Sequence, residues 1–239
     1  MLQPLLTAHW RYLSIVTFRI EPDVLASYVP SGVELELENG QAYVSVCGFL
    51  CYHTVVVGMP LPRHRNFEEV DLRFYVRKKS GDTWRRGVVF IRELVPKTAV
   101  AITARVFDGE PYLGLPMRSD VRDAGGEINV RYEWKRGSKW EGLGMTAKGE
   151  PERVLAGTHE EFILQRCWRY TTRNAKRTSE YRIEHPRWQI WRAQGFEFKA
   201  EVTTLYGDNF VAALSGEPVS AFIADGSFVT VYRREGQDD

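Results

Sequence analysis

The chain has 239 residues, 44% of them hydrophobic and 13% aromatic, enough to bury a large core in one or two domains. Its 32 Lys and Arg balance 31 Asp and Glu, which argues against a dedicated nucleic-acid or polybasic membrane protein. Three cysteines, Cys47, Cys51 and Cys167, are an odd number for a chain this long, so a reducing cytoplasmic setting fits better than a disulfide framework.

The first residues, MLQPLLTAHWRYL, place no Lys or Arg ahead of an apolar run and make a poor signal peptide. No uncharged apolar stretch approaches roughly 18 residues, so no membrane-spanning helix is expected. Asp23 to Val29, after Pro22, suits a short helix that ends before Pro30. VELELENG alternates, with Val33, Leu35 and Leu37 on one face and Glu34, Glu36 and Glu38 on the other. Asn39-Gly40 then supplies the positive φ angles of a tight hairpin. The return strand, QAYVSVCGFLCYH, is apolar on both faces and reads as central. Further strands are expected at VDLRFYVRKK, RGVVFIREL, AVAITARVF, EINVRYEWKRG, KWEGLGMTAKG, SEYRIEHPR and GSFVTVYRR. A second helix is expected over 158–168, where Thr158 and Glu161 form a capping-box pattern. No repeat or linker divides the chain, so it reads as one domain over 1–239. Many strands and few helices point to sheets curled into a barrel.

Cys47, Cys51 and His53 share parity and would face one way on an extended strand, the start of a zinc site. No second Cys/His cluster completes it, so no metal is expected, and buried cysteines serve well as small hydrophobes. Cys167, in LQRCWRY, has no protease signature around it and reads as a packed cysteine on the helix face. GxxxxGK[ST] and strand-linked GxGxxG loops are absent, and no cofactor is assigned. From Arg166 to Arg187 run Arg166, Arg169, Arg173, Lys176, Arg177, Arg182 and Arg187, with Trp168, Tyr170, Tyr181 and Trp188 interleaved. That stretch could bind a nucleic-acid strand or another anion. With a formal charge of only +1, a solvated hairpin turning at Asn174-Ala175 is the plainer reading. Lys97 follows Pro96 and is flanked by Val95 and an apolar run. It either reaches solvent, pairs with Glu93, or sits in a dry pocket as a neutral amine.

Several stretches resemble the YqjF-like family of uncharacterised bacterial proteins. They are AHWRYLSIVTFRIEPDVLASYVPSGVELE, FEEVDLRFYVR, ARVFDGEPYLGLPM, RCWRYT, EYRIEHPRWQIW and ADGSFVTVY, and together they cover nearly the whole chain. More distantly, WRYLSIVTFRIEPDVLASYVP, VELELENGQAYVSV and RELVPK are similar to segments of the acetoacetate decarboxylase superfamily. The resemblance implies a β-rich α+β fold, mainly antiparallel strands forming a barrel with a few short helices around a buried pocket. It places that superfamily's active-site arginine on Arg11 and its Schiff-base lysine on Lys97. Such a lysine needs a neutral amine, and lowering a free-lysine pKa of ~10.4 to ~7 costs about 4–5 kcal/mol. A dry wall or a nearby cation achieves this. Thr98 replaces the second lysine of the motif, so Arg11, Arg92 or Arg105 would have to serve as the cation. The two pocket glutamates of the decarboxylases fall near Ser45 and in CYHTVVV, where this chain has no acid.

Acetoacetate decarboxylation itself is therefore not expected. Two readings stay open. One is a pocket for a small carbonyl or carboxylate compound, with Arg11, Glu93 and Arg105 binding and Lys97 as the imine-forming nucleophile. The other is a non-catalytic protein that holds an apolar ligand. The expected partner is a small molecule rather than nucleic acid or membrane, and a homo-oligomer is compatible with either reading.

Overall fold

The computed structural model describes residues 3–60, 65–99, 109, 111–174 and 177–234. Seven strands form a closed ring. In ring order they are β1 (Leu6–Ile20), β3 (Ala42–Val56), β5 (Phe67–Ser80), β6 (Thr83–Pro96), β12 (Trp168–Asn174), β13 (Arg177–Glu184) and β15 (Ser220–Arg234), and β15 pairs back onto β1. All neighbours in the ring are antiparallel except β6 and β12. Closure gives each of these seven strands a partner on both sides, though β6 and β12 meet over two residue pairs alone among the described residues. Short strands β2 (Glu34–Leu35), β4 (Met59–Pro60) and β7 (Tyr112–Leu115) add to β5, β3 and β6.

A second antiparallel layer runs β14 (Gln189–Lys199), β10 (Lys139–Lys148), β9 (Glu127–Arg136), β8 (Met117–Ala124). It joins the ring where Ile190–Arg192 pair with Phe222–Ala224 of β15. The two-residue strand β11 (Glu152–Arg153) lies beside β14. Alternation on β9 turns Val130, Tyr132 and Trp134 towards the ring and leaves Arg131 in solvent. Two apolar clusters result. One, with Leu72, Phe74, Tyr132 and Trp134, fills the space between the layers. The other, with Leu13, Phe49, Tyr181 and Phe222, fills the ring itself.

Two β-bulges decide which side chains enter the ring. On β1, Tyr12 and Leu13 together oppose Phe49, and Tyr12 takes φ 56°. The extra residue reverses the phase, so Trp10 and then Leu13 and Ile15 point inward. Tyr132 reaches from the second layer, and its hydroxyl donates to Tyr12 O at 2.8 Å. Tyr132 also packs on Gly48, where an added Cβ would lie 2.5 Å from Tyr132 Cδ2. On β3, His53 is the second bulged residue, at φ 52°.

The helices are short: residues 22–28 form an α turn continued as 3₁₀, and His159–Leu164 form the second. In that second helix Glu161 N donates to Thr158 Oγ1 at 3.3 Å, and Glu161 Oε2 accepts from Gly157 N at 2.7 Å. The helix ends before 168, so Cys167 is an exposed residue at the entry to β12 and not on a helix face. Two further short helices lie over Val202–Tyr206 and Val211–Leu214. No helix among the described residues is long and apolar enough to cross a membrane.

The alternation expected over 33–38 fails after Leu35. Strand β2 ends there, and the chain turns Glu36 inward at 3% exposure and Leu37 outward at 44%. The Asn39-Gly40 turn does form, with φ 50° and 80°. Strands β1, β8 and β14 escape a period-two reading, and most of the strand expected at AVAITARVF lies outside the described residues.

Candidate functional site

The ring encloses a narrow cavity of about 50 Å³. Leu6, Leu13, Ile15, Phe49, Val88 and Phe90 form its apolar wall, and Trp10 and Trp188 form one side. Against this wall stand Glu69, Arg73 and Arg169, with Arg166 and Thr54 further along. Alternation on β5 explains part of the set, because Phe67, Glu69, Asp71 and Arg73 share a face.

Glu93 is fully buried, and Arg169 Nη2 donates to its Oε2 at 2.5 Å and to Tyr112 Oη at 3.3 Å. Glu69 hydrogen-bonds to Glu93, so two carboxyl groups meet within reach of one arginine. Burial, with Asp71 nearby, pushes Glu69 up to about 7, against the pull of Arg169, Glu93 and Arg73. Two carboxyl groups this close in a buried setting favour a proton on one of them, because burial penalises a second negative charge. Asp71 is fully buried beside them and takes a two-pronged ion pair from Arg73, with Nε to Oδ1 at 2.6 Å. A carboxyl that titrates near neutrality and faces an apolar cavity can both give and take a proton.

Arg166 closes one end. Its Nε donates to Phe162 O at 2.5 Å, its Nη1 pairs with Glu36, and its plane lies 4.0 Å from the Phe162 ring centroid. Glu36 is shared with Arg86, whose Nε lies 2.7 Å from Oε1. Cys51, which also lines the cavity, has its thiol pushed well up by burial and by Glu69 and is no ready thiolate. Burial also raises the Cys167 thiol.

The residues expected from the resemblance are dispersed. Glu93 lies in the buried acid cluster, with Arg169 rather than Lys97 as its ion-pair partner. Lys97 is exposed. By parity with Glu93 and Val95 it would enter the ring, but β6 ends at Pro96 and residues 97–99 turn helical. Lys97 therefore lines a separate open groove of about 960 Å³ with Arg92, Lys135, Arg136 and Lys139. Arg11 is half-buried, 5.1 Å from the Tyr12 ring centroid and close enough to Asp225 to act on its charge. It follows Trp10, so alternation turns it away from the cavity, and it lines neither that cavity nor the groove. Arg105 lies outside the described residues.

The expected common face of Cys47, Cys51 and His53 is also corrected. Both cysteines are buried, and the bulge sends His53 to the surface beside His9, at 5.8 Å between ring centroids. The Arg166–Arg187 stretch is not uniformly solvated. Arg166 and Arg169 are core residues, while exposed Arg182 and Arg187 pair with Glu184 and Glu161. Sequence reasoning missed Glu69 and read Arg166 and Arg169 only as part of a surface stretch that could bind an anion, not as residues lining a cavity. A signal existed for Glu69: FEEVDLRFY sets charged residues at alternate positions among apolar ones on a strand buried on both faces.

Residues 7–227 match the model of DUF2071, described as an uncharacterized conserved protein. The chain belongs to the DUF2071 family. A relative, the uncharacterized protein YqjF of Bacillus subtilis (strain 168), is 26% identical over 215 residues, covering 88% of this chain and 84% of that one. Among solved structures, the DUF2071 chain superposes on acetoacetate decarboxylase from Legionella pneumophila with a TM-score of 0.63 at 15% identity, over 97% of this chain and 86% of that one. An acetoacetate decarboxylase-like enzyme from Sphingomonas wittichii RW1 gives 0.63 at 16% identity, covering 98% and 94%. The enduracididine biosynthesis enzyme MppR, complexed with a condensation product of pyruvate and imidazole 4-carboxaldehyde, gives 0.64 at 14%, covering 97% and 89%. The DUF2071 chain thus has an acetoacetate decarboxylase-like fold.

Proposed function

We propose that the chain binds a carbonyl or carboxylate compound with an apolar body inside the strand ring, and that Glu69 exchanges a proton with it. The observation that carries this reading is the enclosed apolar cavity whose polar wall holds Glu69, hydrogen-bonded to Glu93 and backed by Arg169. Arg169 and Arg73 limit the cost of the buried negative charge, and protonated Glu69 can donate to a carbonyl oxygen. The same group, once ionised, can take a proton from the carbon beside that carbonyl. MppR, a protein of the same fold, has been crystallised with pyruvate, which supports a small oxo acid as the first compound to try. Lys97 stands outside this centre, so the reading assigns it no imine.

The test follows solvent deuterium entering 2-oxobutyrate and longer 2-oxo acids by NMR, beside calorimetric titration of the same compounds. Wild type should bind and accelerate exchange at the carbon next to the carbonyl. Glu69→Gln should bind and lose at least tenfold of the acceleration. Binding with equal exchange in both proteins would remove the proton-transfer role and leave a binding protein. Absence of binding would remove the reading altogether.

A further inference from the structure

Strand β8 is the outer edge of the second layer. Strands β10 and β9 have partners on both sides, whereas β8 pairs with β9 alone among the described residues. Its side chains alternate. Met117 and Val121 pack inward on the core, and Ser119 Oγ donates to Glu68 Oε1 at 2.8 Å. Arg118, Asp120 and Arg122 stand exposed on the outer face.

The backbone of this edge has a fixed phase. Lys135 N donates to Pro116 O at 2.9 Å, and β8 continues from there in unbroken register with β9. Hydrogen-bonded positions alternate along an antiparallel pair, so Arg118, Asp120, Arg122 and Ala124 direct their N–H and C=O groups to β9. Ser119, Val121 and Asp123 direct theirs outward. An open row of this kind is a template for another strand, and charged side chains ordinarily discourage that pairing.

Here the order of the charges favours it in one register. Let two copies of β8 meet antiparallel, with Val121 opposite the partner's Val121. Asp120 then lies opposite the partner's Arg122, and Arg122 opposite the partner's Asp120. Ser119, Val121 and Asp123 take the hydrogen-bonded positions, which leaves the two charge pairs at the closer, non-bonded ones. Centring the pair on Asp120 instead sets like charges against each other. Centring it on Ser119 matches Arg118 with Asp120, but Arg118 is already held by Glu133 at 2.6 Å and stacked 4.0 Å from the Trp140 ring centroid. Asp120 and Arg122 pair only with each other among the described residues, at 2.8 Å, with side chains 55% and 76% exposed.

We propose that the chain forms a two-fold dimer by pairing β8 with β8 of a second copy, in the register that places Val121 on the axis. The second layer then runs on from one protomer into its partner as one sheet. The contact is self-complementary, as a two-fold interface requires. It is also small, so a dissociation constant in the micromolar range or weaker is expected.

The full-length chain is followed by sedimentation velocity over a concentration series. Wild type should pass from monomer to dimer. Asp120→Arg should weaken the dimer at least about tenfold, because the axis applies the change twice. Adding Arg122→Asp to that variant should restore it. In a Cys167→Ser background, Val121→Cys should give a disulfide-linked dimer on mild oxidation, since opposed hydrogen-bonded positions lie about 5.5 Å apart at Cα. Ser119→Cys should link far less. If Val121→Cys does not fold, the charge exchange decides alone. A wild type that stays monomeric at about 1 mM overturns the proposal. So does a dimer indifferent to Asp120→Arg, a double exchange that fails to restore it, or linkage through position 119 in preference to 121.

Discussion

Arg92 and Glu93 are neighbours on β6, yet they belong to different electrostatic worlds. Glu93 points into the ring, fully buried, and is held by Arg169 with Glu69 alongside. Arg92 points the other way, donates to Leu205 O at 3.2 Å and lines the open groove with Lys97, Lys135 and Lys139. The groove holds more cations, but water screens them. The cavity has few charges, and burial makes each one consequential. Density of charge along a sequence is therefore a poor guide to which charges the fold encloses.

The comparison is broken most directly by removing one charge from each region. Arg169→Leu removes the cation that pairs with Glu93 and acts on Glu69, and should cost about 3–5 kcal/mol in denaturant unfolding. Lys97→Ala should stay within about 0.5 kcal/mol. Comparable losses would mean that the two regions do not differ as described.

A pH series sharpens it. Glu69 titrates at about 7 in the folded protein, raised from 4.5 by burial first and Asp71 second. The folded state thus holds this proton more tightly than the unfolded chain does. Its stabilising effect is full below about pH 4.5 and is lost as pH rises through about 7. The contribution lost is about 3 kcal/mol at most. Unfolding followed from pH 5.5 to 8.5 should show wild type losing stability across this window and Glu69→Gln losing less. The same slope in both proteins would assign the titration elsewhere.

The layer between the regions gives a smaller effect. Gly48→Ala would set a methyl 2.5 Å from Tyr132 Cδ2, forcing the ring off the bulge carbonyl that it caps, for about 1–3 kcal/mol. An unchanged thermal midpoint would show that the second layer slides freely at this point. Smallest of all is the expected signal from Lys97. Borohydride reduction with pyruvate at neutral pH should leave no adduct on this exposed amine, as read by peptide mass spectrometry. An adduct there would move the reacting centre from the cavity to the groove.

Much of the fold was legible because burial imposes periodicity. The β9–β10 hairpin follows from alternation in EINVRYEWKRG and KWEGLGMTAKG with Gly137-Ser138 between them, and β3 from its two apolar faces. The second helix is legible from Thr158 and Glu161, although it ends at Leu164, four residues before the expected 168. Strand β1 was not legible by periodicity. A bulge at Tyr12 shifts its phase midway, and Trp10, Arg11 and Tyr12 blur apolar and polar faces. Local sequence offers Lys97, four residues away, as a partner for Glu93, whereas the fold brings Arg169 to it from seventy-six residues away.

The sequence by itself determined the class of the fold. Period-two burial, a few capped turns of helix and the Asn39-Gly40 hairpin are local consequences of side-chain size, polarity and backbone freedom. Tertiary structure alone decided the site. Whether a charged residue faces a cavity or water depends on strand phase, and a single extra residue in a bulge reverses that phase. Ring closure then brings β5, β6 and β12 together, so that Glu69, Glu93 and Arg169 meet in a space from which water is largely excluded. The raised Glu69 carboxyl is a property of that enclosure, because the energy of a charge depends on the dielectric around it and on the partners that the fold supplies.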